Sequence, residues 1–179
     1  MLPSAEPFLS VTLFQGLPKA DKMDLIVQKA TELGVVRIVP VLMNRCVVRP
    51  DLKDTARRLE RWRKIAREAG KQSGRCVIPD IPEPVFLQRL PDSVPLPDTN
   101  IVPWEEASGF GPLAFRKGHP KLSSLGILIG PEGGIEREEI DQLQSFGFVP
   151  VTLGRRILRT ETAGLAAVSA FMSLYGEME

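Results

Sequence analysis

The sequence has few of the residues that bind metals or form disulfides. Its 179 residues include two cysteines, Cys46 and Cys76, and one histidine, His119. The cysteines are far apart and form no CxxC pair, so we expect no metal site. Thiols that stay reduced are typical of intracellular proteins, and the sequence therefore predicts a cytoplasmic location.

Long hydrophobic runs and a leader segment are also lacking. No stretch approaches the roughly 18–20 uninterrupted apolar residues that a membrane span needs. No basic stretch precedes apolar residues at the N-terminus, so a signal peptide is not predicted, and we expect no membrane contact. With 43% hydrophobic residues, the chain is long enough to form one domain over 1–179 with its own core.

The positive charge is concentrated in one segment. The net charge of the chain is +1, but residues 53–75 hold nine Lys or Arg against three Asp or Glu. A helix predicted over 51–72 puts Leu59, Trp62, Ala66 and Ala69 on one side and Arg57, Arg61, Lys64 and Lys71 on another. A solvated face is one interpretation. Because the excess is one-sided and continues to Arg75, contact with the phosphate backbone of a nucleic acid is favoured.

Strand and helix patterns alternate along the chain. Strands are predicted at 8–17, 35–43, 76–81, 99–104, 125–130 and 148–153, and helices at 21–34, 51–72, 136–147 and 165–175, with a short helix or turn at 84–90. This alternation is typical of an α/β fold with a mainly parallel sheet. Pro40 predicts an edge strand or a bulge. Asp21 is a candidate helix cap, and residues 105–124, rich in Gly, Pro and Ser, predict a long mobile loop.

The first candidate site is "LIGPEGGIEREEI" at 128–140, a strand that runs into a glycine-rich turn and then a helix. Ligands of α/β proteins bind at such strand ends. The motif is neither GxGxxG nor a Walker A loop. Glu136, Glu138 and Glu139 disfavour a phosphate at the helix start, so we expect an uncharged or cationic ligand there. An ordinary tight turn is the alternative.

The second candidate site is "LGRRILRTETAG" at 153–164. Charged Arg155, Arg156, Arg159 and Glu161 are interspersed with apolar Leu153, Ile157 and Leu158. This alternation suits a loop that contacts an apolar ligand on one side and a polar substrate on the other. The alternative is a helix start capped by Thr160, with the arginines solvated.

Together with "KMDLIVQKATELGVVRIVPVLMNRC" at 22–46 and "RWRKIAREAGKQSGRCVIPDI" at 61–81, these motifs resemble the RsmE family of 16S rRNA uridine-N3 methyltransferases, within the SPOUT class. The resemblance extends from about residue 8 to residue 175. It implies a parallel sheet flanked by helices with a C-terminal deep trefoil knot, and a homodimer. The family's N-terminal PUA-like RNA-binding domain is expected to be absent from this chain.

The resemblance also implies a site and a reaction. S-adenosylmethionine (SAM) would lie between the turn after "NIVPW", the "GPEGG" turn and the "LGRRILRTETA" loop. Cofactor-binding residues would be Trp104, Leu128, Gly130, Gly133, Gly134, Leu153, Gly154, Ile157, Leu158, Thr162 and Ala163. The substrate would be N3 of a uridine in the 16S rRNA of the small ribosomal subunit. Arg45 and Arg156 would join the basic helix and Arg75 in binding RNA.

Three residues are candidates for catalysis. Arg159 would stabilise a carbonyl oxygen of the uracil as negative charge develops. Glu161 would act as the base or orient Arg159, and Glu132 is the competing acid. Two alternatives stay open: a catalytically inactive SPOUT-fold module for RNA binding or ribosome assembly, and a SPOUT enzyme acting on tRNA, which "RTETA" and "QSGR" disfavour.

Overall fold

The computed structural model describes residues 6–47 and 51–178, and these contain a six-stranded parallel sheet. The strands are β1 Ser10–Gly16, β2 Arg37–Leu42, β3 Val85–Phe86, β4 Thr99–Pro103, β5 Ser124–Ile129 and β6 Phe148–Val151. Their order across the sheet is β3-β2-β1-β5-β4-β6, and every pairing is parallel. The predicted α/β fold class is confirmed. The knot stays a prediction.

Six helices accompany the strands in the described part of the chain. They are α1 Lys22–Glu32, α2 Leu52–Gln72, α3 Leu90–Ser93, α4 Pro112–Gly118, α5 Arg137–Ser145 and α6 Thr160–Leu174, with a 3₁₀ turn at Leu87–Arg89. The apolar side predicted for α2 is the side it buries. Asp51 caps this helix by accepting a hydrogen bond of 2.8 Å from the backbone N–H of Asp54. None of these helices is long and apolar enough to span a bilayer.

The order in which the strands are added to the sheet reverses between β1 and β5. Strand β1 pairs with β2 on one side and with β5 on the other, so that Thr12 faces Arg37 and Gly126. The strand that follows β1 lies on one side of this point, whereas β6, which follows β5, lies on the other. Since the strands are parallel, the turns that follow β1, β4, β5 and β6 meet at one edge of the sheet, where α/β proteins bind ligands.

Two details of the first helix and second strand differ from the sequence prediction. The Asp21 side chain makes no capping hydrogen bond and instead lies 3.5 Å from Arg61 on α2. Strand β2 is not the outermost strand. Pro40 is tolerated because pairing on that side is limited to Val41–Leu42 with β3 and to an isolated bridge between Arg37 and Asp80.

That isolated bridge replaces the strand predicted at 76–81, and the strand forms instead at Val85–Phe86, where a short helix or turn was expected. Both patterns are short apolar runs next to proline, for which periodicity does not distinguish the two states. The prediction was therefore correct in the number of strands and wrong in which segment pairs with β2.

The loop predicted at 105–124 is partly helical. Helix α4 begins at Pro112, a residue well suited to the first helical position. Phe115 is fully buried and packs edge-on against Phe171 of α6, with 5.3 Å between ring centroids. Arg116 Nε donates to the Leu174 carbonyl at 3.1 Å. The loop prediction, which rested on composition, missed the buried side chain of Phe115, which fixes this segment to α6.

Candidate active site

A cleft of about 470 Å³ opens at the carboxyl ends of β4, β5 and β6. It is lined by Lys22, by Pro103, Trp104 and Glu105 after β4, by residues 129–135 after β5, and by residues 152–160 and Ala163 at the start of α6. These are the three segments that the sequence predicted to meet, and α1 adds Lys22. The volume is within the range typical of small-molecule sites.

The glycine-rich turn after β5 depends on close backbone contacts. A Cβ on Gly130 would lie 2.5 Å from Ile135 Cγ1, and one on Gly133 would lie 2.8 Å from Arg45 Cβ. Gly134 has a backbone φ of +78°, which residues other than glycine rarely adopt. The turn is therefore shaped by close packing against Ile135 and Arg45.

Carboxylates occupy the start of α5, directly after this turn. Glu136 and Glu139 form a capping box, in which each side chain accepts from the backbone of the other residue. The backbone N–H of Asn44 also donates to Glu139 Oε1 at 2.8 Å. Because negative groups already satisfy this helix terminus, it does not offer a phosphate site. This agrees with the expectation of an uncharged or cationic ligand.

The loop between β6 and α6 presents unpaired backbone groups to the cleft. Within the described residues, the backbone N–H and C=O groups of 155–158 make no hydrogen bonds. Leu153 and Leu158 are half-buried beside them, and Ile157 is 82% exposed. Free backbone donors and acceptors next to apolar side chains can recognise the polar edge of a planar ring while contacting its faces.

Three arginines of this loop are unpaired. Arg155, Arg156 and Arg159 are exposed and line the cleft, and none makes a side-chain hydrogen bond or ion pair with the described part of the chain. Their positive charge is therefore available to an anionic partner at the cleft's rim.

Lys22 connects the two acidic candidates. Its Nζ lies 3.1 Å from Glu132 Oε1 and 3.1 Å from Glu161 Oε2. Burial raises the pKa of Glu132, but hydrogen bonds from its own backbone, from Lys19 N and from Lys22 outweigh burial, so that the pKa lies below its usual value. The pKa of Glu161 is lowered first by its own backbone N–H and then, against the effect of burial, by Lys22. Both carboxylates are thus held ionised.

Thr160, the first residue of α6, ties this helix to the glycine turn. Its Oγ1 donates to the Gly130 carbonyl at 2.6 Å and accepts from Gln15 Nε2 at 2.9 Å. Gln15 is fully buried in β1 and also donates to the Gly16 carbonyl. Thr160 is therefore not the helix cap that one interpretation assigned to it, since Arg159 occupies the cap position.

Most of the predicted catalytic and cofactor-binding residues line the cleft, and three of them do not. Leu128 is fully buried within β5, and Thr162 is exposed on α6 outside the lining residues. Glu161 is not a lining residue either and reaches the cleft only through Lys22. Successive strand residues point to opposite faces, and a helix turns its second and third residues away from its first, so these positions lie outside the cleft lining and their roles stay predictions.

Two of the predicted RNA-binding residues, Arg75 and Arg45, make hydrogen bonds within the protein. Arg75 is buried, and its guanidinium donates to the carbonyls of Thr31 and Val35 and pairs with Glu6, so the prediction that it contacts RNA is wrong. Arg45 Nη1 donates to the Gly133 carbonyl at 2.9 Å, which supports the glycine turn.

On α2 the four predicted RNA-binding side chains are exposed, but three of them have partners. Arg57 pairs with Asp54, Arg61 with Asp24, and Lys71 with Glu68, whereas Lys64 makes no ion pair with the described residues. Exposed ion pairs of this kind are weak and exchange readily, so the face stays accessible to phosphates.

Sequence reasoning missed the residues that connect the loops. Lys22 and Gln15 each lie more than a hundred residues from the partners that they contact in the β5–α5 turn and the start of α6. No local spacing signals such contacts. The structure also places no group of three or more His, Cys, Asp or Glu suited to a metal within residues 6–47 and 51–178.

Comparisons with known proteins agree with this geometry. Residues 4–172 match the RNA methyltransferase domain family. Ribosomal RNA small subunit methyltransferase E of Bacillus subtilis is 42% identical over 166 residues, which are 90% of this chain and 65% of that protein. The same-named protein of Aquifex aeolicus is 36% identical, over 93% of this chain and 70% of that protein.

A solved structure is also similar over the whole chain. The crystal structure of ribosomal RNA small subunit methyltransferase E from Neisseria gonorrhoeae, bound to S-adenosyl methionine, has a TM-score of 0.86 and 37% identity, covering 100% of this chain and 72% of that one. The chain spans 65% of the length of the Bacillus subtilis relative. Fold, motifs and sequence identity agree, and the chain belongs to the ribosomal RNA small subunit methyltransferase E (RsmE) family of RNA methyltransferases.

Proposed function

We propose that this cleft binds SAM and that the chain is a SAM-dependent methyltransferase acting on ribosomal RNA. The observation that carries the proposal is the row of unpaired backbone groups at 155–158 beside Leu153 and Leu158. An adenine needs polar partners at its edge and apolar contacts on its faces, and this loop supplies both. The glycine turn, with no phosphate site at the start of α5, fits a cofactor without phosphates. Bound SAM would supply an electrophilic methyl group.

The substrate proposed is N3 of a uridine in the 16S rRNA of the small ribosomal subunit. The names of the relatives support small-subunit rRNA, and the N3 position rests on the resemblance alone. Arg155 and Arg156 at the rim, and the basic face of α2, would contact phosphates. A base in a loop or bulge is the expected target, because sequence-specific RNA contacts usually fall on unstacked bases.

Arg159 is the residue proposed to assist the reaction. Uracil N3 carries an imide proton, and its loss to solvent water places negative charge on N3 and on the two neighbouring carbonyl oxygens. The guanidinium of Arg159 is unpaired within the described residues and lines the cleft, so it is free to stabilise that charge. Glu132 and Glu161 have lowered pKa values, which makes each a weak base. We therefore assign them to the ion-pair cluster around Lys22 and not to proton removal.

We also propose a homodimer, the trefoil knot and a cytoplasmic location. Helix α6 is apolar on most of its surface, and Leu165, Ala166 and Ala170 stay half-exposed on it. A helix that is apolar all round is usually covered on every side, and a second copy of the chain would cover this face. That residues 1–179 form one SPOUT domain stays a prediction.

Calorimetric titration with S-adenosylhomocysteine, the demethylated product, tests the cofactor proposal. We expect one site per chain and little or no binding in Gly133→Ala, because the added Cβ would collide with Arg45. Gly118→Ala is the matched control, since nothing lies within 4 Å of its Cβ position. A folded wild-type chain that does not bind would refute the proposal and favour the catalytically inactive RNA-binding module.

Methylation of small subunits or 16S rRNA lacking the modification, followed by mass spectrometry of the nucleosides, tests the substrate. We expect 3-methyluridine at one position. Methylation of tRNA alone, or of another uridine atom, would contradict the substrate part of the proposal and leave the cofactor part standing.

A further inference from the structure

Lys22 joins three segments that meet at the cleft. It is the first residue of α1, Glu132 belongs to the turn after β5, and Glu161 belongs to the first turn of α6. The Lys22 side chain is 29% exposed and the two glutamates are 23% and 18% exposed, so these ion pairs are partly shielded from water. The backbone N–H of Lys19 also donates to Glu132 at 3.0 Å, which fixes the turn before α1 to the same carboxylate.

The cluster contains two negative charges and one positive charge, and Arg159 is close to it. Arg159 precedes Glu161 by two residues in the chain, and its positive charge is the smallest of the contributions that lower the pKa of Glu161. No ion pair within 4.0 Å joins Arg159 to any acid in the described ranges. Glu161 is instead paired with Lys22, and Arg159 lines the cleft.

We propose that Lys22 is a positioning residue, which occupies Glu132 and Glu161 and thereby keeps the Arg159 guanidinium available to the substrate. The inference rests on the proposed function, since it concerns the role given to Arg159. Without Lys22, the cluster would hold two carboxylates with no cation. Arg159 is two residues from Glu161 along the chain, and its long side chain carries an unpaired cation that could replace the ammonium group.

An arginine that pairs with Glu161 is lost to the substrate. A guanidinium and a carboxylate form paired hydrogen bonds, which hold the side chain in one place more firmly than a lysine would be held. The cost would fall on the chemical step, because Arg159 is proposed to act on charge that develops in the transition state. Cofactor binding, which uses the backbone of 155–158, would change little.

Kinetics of four variants test this role. Lys22→Met should lower kcat by roughly 10²- to 10³-fold, the loss expected when one stabilising donor is removed, with the KM for SAM and the affinity for S-adenosylhomocysteine nearly unchanged. Lys22→Arg should keep activity within a few-fold of wild type, because it also pairs both glutamates. Arg159→Ala gives the reference loss. Lys22→Met combined with Glu161→Gln should recover at least about 10-fold in kcat over Lys22→Met, because only one of the two competing carboxylates, Glu132, is then left.

Crystal structures of the Lys22→Met variant supply a readout that does not depend on activity. We expect the Arg159 guanidinium within ion-pair distance of Glu161 or Glu132. An Arg159 that still lines the cleft, or a double variant slower than Lys22→Met, would overturn the inference. A merely structural role for Lys22 would lower the unfolding temperature and cofactor affinity without recovery in the double variant. If wild type itself methylates no RNA, the proposed function fails, and the position of Arg159 in the variant crystal still decides the inference.

Discussion

Removing the hydroxyl group of Thr160 tests whether the start of α6 is fixed to the glycine turn through buried hydrogen bonds. Thr160→Val keeps the shape of the side chain and removes Oγ1, which donates to the Gly130 carbonyl and accepts from Gln15 Nε2. No cavity is created, so the expected effect comes from the two groups that lose their partner.

The magnitude follows from the burial of those two groups. A buried polar group left without a partner costs about 1–3 kcal/mol. Gln15 is fully buried, though its Nε2 keeps the bond to the Gly16 carbonyl, and the Gly130 carbonyl lies beside the cleft, where water can reach it. We therefore expect a loss of about 2–4 kcal/mol in the free energy of unfolding. For a domain of this size that corresponds to a drop in Tm of roughly 5–15 °C.

Urea unfolding followed by tryptophan fluorescence measures the loss, with Thr162→Val as the matched control. Thr162 is exposed in the same turn of α6, so the same substitution there should change stability by no more than about 0.5 kcal/mol. Gln15→Leu should make Thr160→Val less costly, because it removes the amide donor that loses one of its two partners and also Oε1, which has no partner in the described structure. Equal effects of Thr160→Val and Thr162→Val would refute the reasoning.

Three further predictions concern charge. Lys64→Glu on α2 should weaken rRNA binding and flatten its dependence on salt in fluorescence anisotropy, whereas Lys117→Glu on α4 should not; equal slopes would remove α2 from the interface. Because the folded-state pKa of Glu132 is lowered, its pairing with Lys22 stabilises the fold above the unfolded-state pKa and is lost as pH falls through the folded-state pKa. Urea midpoints of wild type and Glu132→Gln should therefore converge as pH falls below the ordinary glutamate pKa of about 4.3, and a constant difference would contradict the lowered pKa. Arg159→Ala should slow methyl transfer by roughly 10²- to 10³-fold and leave S-adenosylhomocysteine affinity unchanged, and a collapse in that affinity would rule out its proposed role.

Much of the fold could be predicted because the relevant signals are local. The apolar side of α2, the parallel sheet and the glycine turn each follow from residues close together in the sequence. The errors fall where local signals are weak. At 76–90, short apolar runs next to proline did not distinguish a strand from a helix. The Gly- and Pro-rich composition around Phe115 gave no sign that this side chain is buried.

The site was predicted in outline through the family resemblance, which implied that the motifs at 128–140 and 153–164 share one cleft. The parallel sheet places the turns after β5 and β6 at the same edge, on either side of β4. The role of Arg75 could not be read in this way. Its sequence neighbours are basic, but its partners are the carbonyls of Thr31 and Val35 and the carboxylate of Glu6.

The sequence by itself determined which segments carry chemistry, through glycines that permit a tight turn and through arginines concentrated in one loop. Only the tertiary structure decided which of those charges are free. Lys22 reaches two glutamates that are distant in the sequence, and a pairing within about 3–4 Å decides whether a carboxylate or guanidinium is neutralised or available. That distance depends on how the strands are ordered across the sheet, which residue spacing does not specify.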